Sequence, residues 1–257
     1  MKQQVFNPYL PSWEYIPDGE PYVFGDRVYV YGSHDSFGAP IFCVKDYVCW
    51  SAPVTDLSDW RYEGVIYRKN QDPSNKLGIR CLYAPDVTQG LDGRYYLYYA
   101  FDFMGEMGVA VCDTPAGRYE FYGHVHFKDG HVWGKKSGEP FPFDPGILVD
   151  DDKRVYLYSG FATKVPAVAS RGRSLTNEGG VVLELEQDMI TIKSGPELLF
   201  PTKGKMVLFR IMLFLKQVLY EKWMENIVLY IHQNTIMIFV TQWQIHLKVH
   251  LLMEAFW

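Results

Sequence analysis

A polar turn followed by an aromatic, β-branched strand occurs three times in this chain of 257 residues. The copies are residues 25–31 (GDRVYVY), 92–99 (DGRYYLYY) and 152–158 (DKRVYLY). Equivalent tyrosines, Tyr29, Tyr96 and Tyr156, recur at spacings of 67 and 60 residues. A regular return of one unit indicates a repeat architecture.

Each repeat is long enough for four strands and their loops. Runs of Val, Leu and Tyr suit a pleated, half-buried strand. Radial repetition of four-stranded sheets is the β-propeller, in which each sheet buries its faces against its neighbours. The sequence therefore predicts an all-β propeller, with the three tyrosines on equivalent strands.

An aspartate precedes or opens a strand in each unit. Asp18 lies between Pro17 and Gly19, Asp86 follows Tyr-Ala-Pro, and Asp144 stands before the predicted hairpin of residues 145–160. Each of them alone is typical of a turn or a strand start. Their recurrence predicts that the three carboxyls converge at one end of the propeller axis.

The net charge and the aromatic content indicate which classes of ligand the protein can bind. The formal net charge is −5, without a long run of either sign, which argues against nucleic acid. The aromatic content is 16%; most of these rings are expected in the sheet core, and a few can stack on sugar rings. His34, Trp50 and Tyr83 are candidate sugar-binding residues together with Asp86, and a structural histidine is the alternative for His34.

The cysteines and the N-terminal sequence bear on the cellular location of the protein. Four cysteines, Cys43, Cys49, Cys81 and Cys112, show no metal-type spacing and are expected to be free thiols. The N-terminus has no apolar signal region. We therefore expect a cytoplasmic protein, and we assign it no cofactor and no metal ligands; whether a calcium ion binds near the propeller axis stays open.

Three motifs together resemble glycoside hydrolase family 43 over about residues 5–204. They are Asn-Pro-x-Leu-Pro followed by Pro-Asp18, Tyr-Ala-Pro-Asp86, and Phe-Asp144-Pro-Gly before an acidic hairpin. The resemblance implies a five-bladed propeller with its active site at the central axis. It also implies an inverting arabinofuranosidase or β-xylosidase that acts on plant-type glycans such as xylan.

The resemblance implies a role for each of these residues. Asp18 matches the general base and Asp144 the carboxylate that orients and tunes the acid, whereas Asp86 matches a site aspartate of binding or structural role. Tyr83 stands where the family often has Trp. An inverting glycosidase needs two carboxyls roughly 6.5–9.5 Å apart, and a neighbouring carboxylate can keep the acid protonated.

The composition changes abruptly after residue 204. Residues 205–257 contain no Gly, Pro or Asp, whereas the first 204 residues contain all 22 Gly and all 15 Pro. We therefore divide the chain into a propeller part, 1–204, and a C-terminal segment, 205–257, that is not family-like. This segment has no clean helical or alternating period, and as a transmembrane helix it is poor.

A frameshift accounts for this segment. If the codons for Trp223, Met224 and Glu225 are read one base earlier, they must encode Asp-Gly. The codons of the surrounding residues, read in the same frame, permit a fourth copy of the turn-and-strand unit. A permitted Phe-Glu-Ala-Ser-Ser peptide resembles the family's acid motif, its glutamate codon straddling Leu215 and Lys216. No residue of the segment as written inherits the role of the catalytic acid.

Three functions stay open at the level of sequence. The first is a glycoside hydrolase impaired here by loss of its acid, the second a non-catalytic carbohydrate-binding propeller, and the third a membrane-tethered protein. An oligosaccharide or polysaccharide is the expected partner in the first two. Arabinofuranosidase and xylosidase are not separable from sequence, because subsite loops decide between them.

Overall fold

The computed structural model describes residues 8–101, 105–160, 170–201, 227–232 and 235–240. Within these ranges the protein is all-β, apart from two short 3-10 helices, Lys69–Gln71 and Pro73–Asn75. No helix among these residues is long and apolar enough to cross a membrane.

Three consecutive antiparallel sheets, named blades 1 to 3, make up the first compact unit, Met1–Gln217. Blade 1 consists of β1 Glu20–Phe24, β2 Arg27–Tyr31, β3 Tyr47–Pro53 and β4 Arg61–Tyr67. Blade 2 consists of β5 Asp86–Gln89, β6 Tyr95–Ala100, β7 Met107–Cys112 and β8 Glu120–His124. Blade 3 consists of β10 Pro145–Val149, β11 Val155–Ser159, β12 Gly179–Leu185 and β13 Thr191–Pro201, with the short β9 His126–Phe127 pairing in parallel with β13.

The predicted repeat is confirmed. Tyr29, Tyr96 and Tyr156 lie on β2, β6 and β11, the second strand of each blade. Four strands of each blade pair in sequence order as an antiparallel meander, and β9 adds a parallel edge strand to blade 3. The start of a fourth unit, predicted before residue 204, lies outside the described residues.

The turns that precede β6 and β11 use the same side-chain contacts. Asp92 Oδ1 accepts a hydrogen bond from the Arg94 N–H at 3.1 Å, and Asp152 Oδ1 accepts one from the Arg154 N–H at 3.0 Å. In both turns the arginine Nε also donates to the second carboxylate oxygen. The Asp-x-Arg pattern in the sequence therefore specifies one turn structure twice.

Strand β6 is buried on both faces because it separates two hydrophobic cores. Its even-numbered Tyr96 and Tyr98 belong to the core shared with blade 3, whereas Leu97 and Tyr99 belong to the core shared with blade 1. Blade 3 contributes Ile147, Leu157 and Leu183, and blade 1 contributes Tyr31, Tyr47 and Ile66. Successive side chains of a strand point to opposite faces, so a central blade requires the unbroken apolar run that β6 has.

The innermost strands of the three blades are β1, β5 and β10. Asp18 lies two residues before β1, Asp86 is the first residue of β5, and Asp144 directly precedes β10. β10 packs against β5, and a hydrogen bond from Tyr22 of β1 reaches Asp86. These contacts bring the starts of the three inner strands together.

A second compact unit, Val218–Trp257, contains the hairpin of β14 Ile227–His232 and β15 Thr235–Val240. Its strands pair from Ile227 opposite Val240 to His232 opposite Thr235. The predicted boundary at residue 204 lies outside the described residues, so the extent of the C-terminal segment stays a prediction.

Candidate active site

Asp18 and Asp144 both stand at positive backbone φ angles ahead of their inner strands. The φ angle is +55° at Asp18 and +49° at Asp144. Non-glycine residues rarely adopt this region; Asp tolerates it better than most, and strain of this kind concentrates at functional sites. The turn that starts each blade, rather than the strand itself, therefore sets the direction of both carboxyls.

Gly32 allows the segment before β1 to lie close to the end of β2. A Cβ at Gly32 would come within 2.8 Å of the Pro17 carbonyl oxygen. The Asp35 N–H donates to the Tyr15 carbonyl at 2.9 Å. This close approach holds the segment against blade 1 and fixes the position of Asp18.

Asp144 is a buried carboxyl with a strongly perturbed pKa. It is 9% exposed, and burial, followed by the charge of Asp18, raises its pKa to about 7. The preceding residue is tightly held, because the Phe143 N–H donates to Ser159 Oγ at 3.0 Å and the Phe143 carbonyl accepts from Gly160 N–H at 2.9 Å. Asp144 thus has a rigid backbone and an ionisation that changes near neutral pH.

Asp18 is the more open of the two acids. The residue is exposed, and partial burial of its carboxyl and the charge of Asp35 raise its pKa. Asp35 itself is oriented by the Cys43 N–H, which donates to its Oδ1 at 2.5 Å. An accessible carboxyl and a buried carboxyl with a raised pKa therefore interact electrostatically in one site.

Asp86 connects all three blades. It is 2% exposed, and it accepts hydrogen bonds from Tyr22 Oη of blade 1, from its own neighbour Val87 N–H at 2.8 Å, and from Ile147 N–H of blade 3 at 2.6 Å. An ionised carboxylate can accept all of these bonds. The structure thus gives Asp86 a role in joining the blades, and its predicted contact with substrate stays a prediction.

His34 and Trp50 bind a buried glutamate, Glu14, that the sequence had not singled out. His34 Nε2 lies 2.8 Å from Glu14 Oε1, and Trp50 Nε1 donates to Glu14 Oε2 at 3.0 Å. The other His34 nitrogen, Nδ1, lies 2.8 Å from the Asp46 carbonyl oxygen. Both candidate side chains are buried, at 8% and 5% exposure. These contacts support the structural alternative for His34, and direct sugar contact by either residue stays a prediction.

A series of contacting aromatic rings, named the aromatic arc, includes Phe143, the residue directly before Asp144. The Tyr83 ring centroid lies 5.2 Å from that of Phe143 and 6.0 Å from that of Phe42, and Phe141 continues the series at 6.0 Å from Phe143. Phe42 is 63% exposed. Of these rings the sequence analysis singled out only Tyr83. Phe143 could have been identified as a second ring of the site, because it directly precedes Asp144.

Glu20 is a fourth carboxyl of the site, and it too was missed by sequence reasoning. It is half-buried at the start of β1. Burial, followed by the charges of Asp86, Asp18 and Asp144, raises its pKa to about 8. Its position two residues after Asp18, on an alternating strand, was the signal that could have identified it. Across the described ranges, no group of His, Cys, Asp or Glu is arranged to hold a metal ion.

A comparison with protein families shows which family the chain belongs to. The family model described as "Glycosyl hydrolases family 43" matches residues 15–252, most of the chain. The chain belongs to glycosyl hydrolase family 43. The match extends past residue 204, and the reading frame of the C-terminal segment stays a prediction.

Curated family 43 relatives agree with this assignment. A xylosidase/arabinosidase of Thermoclostridium stercorarium is 55% identical over 203 residues, which cover 79% of this chain and 41% of the relative. The xylosidase/arabinosidase 43A of Humicola insolens is 29% identical over 164 residues, covering 57% of this chain and 43% of the relative. The chain thus spans about two fifths of the length of these relatives.

Solved family 43 structures share the fold. RS223-Beta-xylosidase is 25% identical with a TM-score of 0.53, covering 72% of this chain and 59% of that one. A GH43_1 enzyme from Xanthomonas citri is 25% identical with a TM-score of 0.51, covering 71% and 54%. The three blades are therefore part of the five-bladed propeller of family 43, and the predicted fold class is confirmed.

The geometry brings the predicted family 43 acids together. Asp18, Asp86 and Asp144 all act electrostatically on Glu20, and Asp18 acts on Asp144, so the four carboxyls form one cluster at the starts of the inner strands. The predicted convergence of the three aspartates agrees with this arrangement. The individual roles of base and tuning acid stay predictions.

Proposed function

We propose that the protein hydrolyses arabinosyl or xylosyl linkages of plant-type glycans with inversion of the anomeric configuration. The observation that carries the proposal is the pairing of exposed Asp18 with buried Asp144, whose pKa is raised to about 7. Hydrolysis with inversion needs a base, the role assigned to Asp18, and a general acid whose protonated form a neighbouring carboxyl such as Asp144 favours. The xylosidase/arabinosidase relatives support the substrate class.

Each acid has a defined task in the proposed reaction. Asp18 removes a proton from a water molecule as the water oxygen attacks the anomeric carbon. The bond from that carbon to the leaving oxygen breaks, and a general acid protonates this oxygen. Asp144 orients the general acid and, as a neighbouring carboxyl, favours its protonated form.

The aromatic arc supplies the surface for the sugar. The Tyr83 ring lies against Phe143, the residue before Asp144, and against the exposed Phe42. Flat rings contact the apolar faces of furanose and pyranose sugars, and they lose little conformational freedom in doing so. Such a surface accommodates both arabinosyl and xylosyl groups.

The general acid belongs, in this proposal, to the fourth unit that a one-base change of frame restores. The Phe-Glu-Ala-Ser-Ser peptide permitted across Leu215 and Lys216 contains it. A positioned general acid contributes roughly 10²–10⁴-fold to the rate. We therefore propose that the chain as written hydrolyses glycosides poorly and that the restored chain is active.

The test is to express the chain as written and the frame-restored chain, and to assay both with aryl α-L-arabinofuranoside and aryl β-xyloside. The restored chain should turn over at least one of them, and Asp18→Asn in it should lower kcat/KM by roughly 10²–10⁴-fold. Asp59→Asn, at an exposed position of blade 1, is the matched control and should leave kcat/KM unchanged.

Two outcomes would decide against parts of this proposal. Comparable turnover by both chains would show that the chain as written already has its acid. A restored chain that is folded and binds xylo- or arabino-oligosaccharides without cleaving them would establish the carbohydrate-binding propeller instead.

A cytoplasmic location is part of the proposal. It is supported by the absence of a disulfide at the four cysteines, Cys43, Cys49, Cys81 and Cys112, three of which are buried. Cell fractionation of the native host tests it, and recovery of the protein in the culture medium would contradict it.

A further inference from the structure

Glu20 lies on the face of β1 that is turned toward blade 2. Along this strand Glu20, Tyr22 and Phe24 are half-buried, whereas the two residues between them are exposed. Tyr22 Oη donates to Asp86 of blade 2, and the Phe24 ring packs against Tyr95 with a centroid distance of 4.9 Å. Side chains two residues apart in a strand share a face, so Glu20 extends this row toward the end where Asp18 lies.

The groups around Glu20 are acids. Asp18 lies two residues before it, Asp86 begins β5 and Asp144 directly precedes β10; the charge of each disfavours ionisation of Glu20. Tyr22 is its neighbour on β1. Among the described residues, no Lys, Arg or His forms an ion pair with Glu20.

Two of the other acids, Asp86 and Asp18, differ from Glu20 in their surroundings. Asp86 accepts hydrogen bonds from three donors. Asp18 is exposed to water. Glu20 is half-buried and accepts no hydrogen bond from a donor in the described part of the chain. Burial without a donor disfavours the charged form of a carboxyl, so Glu20 is the group in the cluster that is protonated at the lowest cost in free energy.

We propose that Glu20 is a positioning residue of the site, which stays a neutral carboxylic acid at neutral pH and so prevents a fourth negative charge at the centre of the carboxyl cluster. The proposal rests on the proposed function. It assigns Glu20 the task of letting Asp18 ionise as the base without a further negative charge beside it.

Glu20 is not the missing general acid. It lies two residues from Asp18 on the same strand start, and therefore on the side of the base. Inversion requires the acid and the base on opposite faces of the sugar ring. Its effect on the reaction thus passes through the charge of Asp18 and Asp144.

The first experiment follows the ionisation of Glu20 in the full chain, labelled with ¹³C at the glutamate carboxyl. The resonance that disappears in Glu20→Gln belongs to Glu20, and its titration midpoint should lie near pH 8. Glu120→Gln, at an exposed position of β8, identifies a control glutamate. A Glu20 midpoint at or below that of Glu120 would overturn the proposal, whatever the chain's hydrolytic activity.

The second experiment separates positioning from mere packing. Because the proton affinity of Glu20 is higher in the folded state, its contribution to stability is fully present below pH 4.5 and is lost as pH rises through about 8. Glu20→Gln should remove this part of the pH dependence of Tm, while Glu120→Gln should not.

The kinetic readout uses the frame-restored chain. Glu20→Gln, which is permanently neutral, should move the alkaline limb of kcat/KM to higher pH, whereas Glu20→Ala should lower kcat/KM without that movement. An unmoved limb in Glu20→Gln, together with normal turnover by the parent, would refute the positioning role. Absence of turnover in the parent would count against the proposed function alone, since the carboxyl titration is read independently.

Discussion

Asp144 connects the packing of blade 3 with the chemistry of the site. Its backbone follows Phe143, which Ser159 and Gly160 hold from the neighbouring strand. Its carboxyl is buried next to Asp18, so that its pKa depends on both packing and charge. A change at Asp18 should therefore be measurable at Asp144 without any change in the packing of blade 3.

Asp18→Asn should lower the pKa of Asp144 below about 7, because it removes the charge that, after burial, raises it. The pKa should stay above the ordinary value of 3.8, since burial is unchanged. Titration of ¹³C-carboxyl-labelled aspartate by NMR measures this. Asp59→Asn serves as control, and an unchanged midpoint in Asp18→Asn would show that the two carboxyls do not interact.

Individual residues also show how far the sequence could lead. The sequence could single out Asp18, Asp86 and Asp144 because each stands at or just before the first strand of a repeated unit. Glu14 was not, because its partners His34 and Trp50 come from segments far away in the chain. Glu20 could be found only from its alternation with Asp18. The repeat likewise predicted the blades, whereas the use of His34 and Trp50 to hold Glu14 depends on a lead-in segment without periodicity.

The inner strands act as a unit through Asp86. One carboxylate at the start of β5 accepts from Tyr22 on β1 and from Ile147 on β10. Because buried acceptors that lose a donor are costly, this residue should stabilise the alignment of all three strands.

Tyr22→Phe should lower the free energy of unfolding by about 1–3 kcal/mol, because it removes a donor to a buried carboxylate. Chemical denaturation with a far-ultraviolet circular dichroism readout measures the change. Tyr62→Phe, on β4 with its side chain 47% exposed, is the matched control and should stay within about 0.5 kcal/mol of the parent. Equal effects of the two substitutions would contradict a special role for the hydrogen bond to Asp86.

A second buried acid, Asp72, joins a 3-10 helix to blade 2. It is 0% exposed and accepts from His124 Nε2 at 2.9 Å, Tyr99 Oη at 2.7 Å and Ser74 N–H at 2.7 Å. Burial alone would raise the pKa of Asp72, but these donors outweigh it and lower the pKa to about 2. Asp72 therefore binds protons less readily in the folded state than in the unfolded state.

The contribution of Asp72 to stability should be present above pH 3.8 and lost as pH falls through about 2. Asp72→Asn should lower stability at neutral pH and lack this part of the acid transition. Acid titration followed by tyrosine fluorescence compares the two proteins. Parallel acid transitions in the parent and in Asp72→Asn would exclude Asp72 as a source of the pH dependence.

At the level of the whole molecule, the blades of the first unit are not independent. The two faces of β6 belong to different cores, so blade 2 is a shared wall between blade 1 and blade 3. Stacked repeats are stabilised by such interfaces as much as by their own contacts. We therefore expect the three blades to unfold in one transition.

Leu97→Ala tests this coupling. Leu97 is 0% exposed and faces the core shared with blade 1, and its truncation should cost about 2–5 kcal/mol. Hydrogen exchange should accelerate at Leu157 of blade 3 as well as at Val30 of blade 1. Leu91→Ala, in the turn before β6 with its side chain 43% exposed, is the control. Acceleration confined to blade 1 would show that the blades open separately.

The left-handed turn at Asp18 has a consequence for the handling of any inactive variant. Gly19 follows Asp18 in the chain, so Asp18→Asn creates an Asn-Gly pair. In such a pair the backbone nitrogen of the glycine attacks the side-chain amide with little steric hindrance. Hydrolysis of the resulting succinimide regenerates aspartate in part of the molecules. Stored preparations of Asp18→Asn should thus slowly regain turnover, with a matching increase in mass, whereas Asp18→Ala should stay inactive.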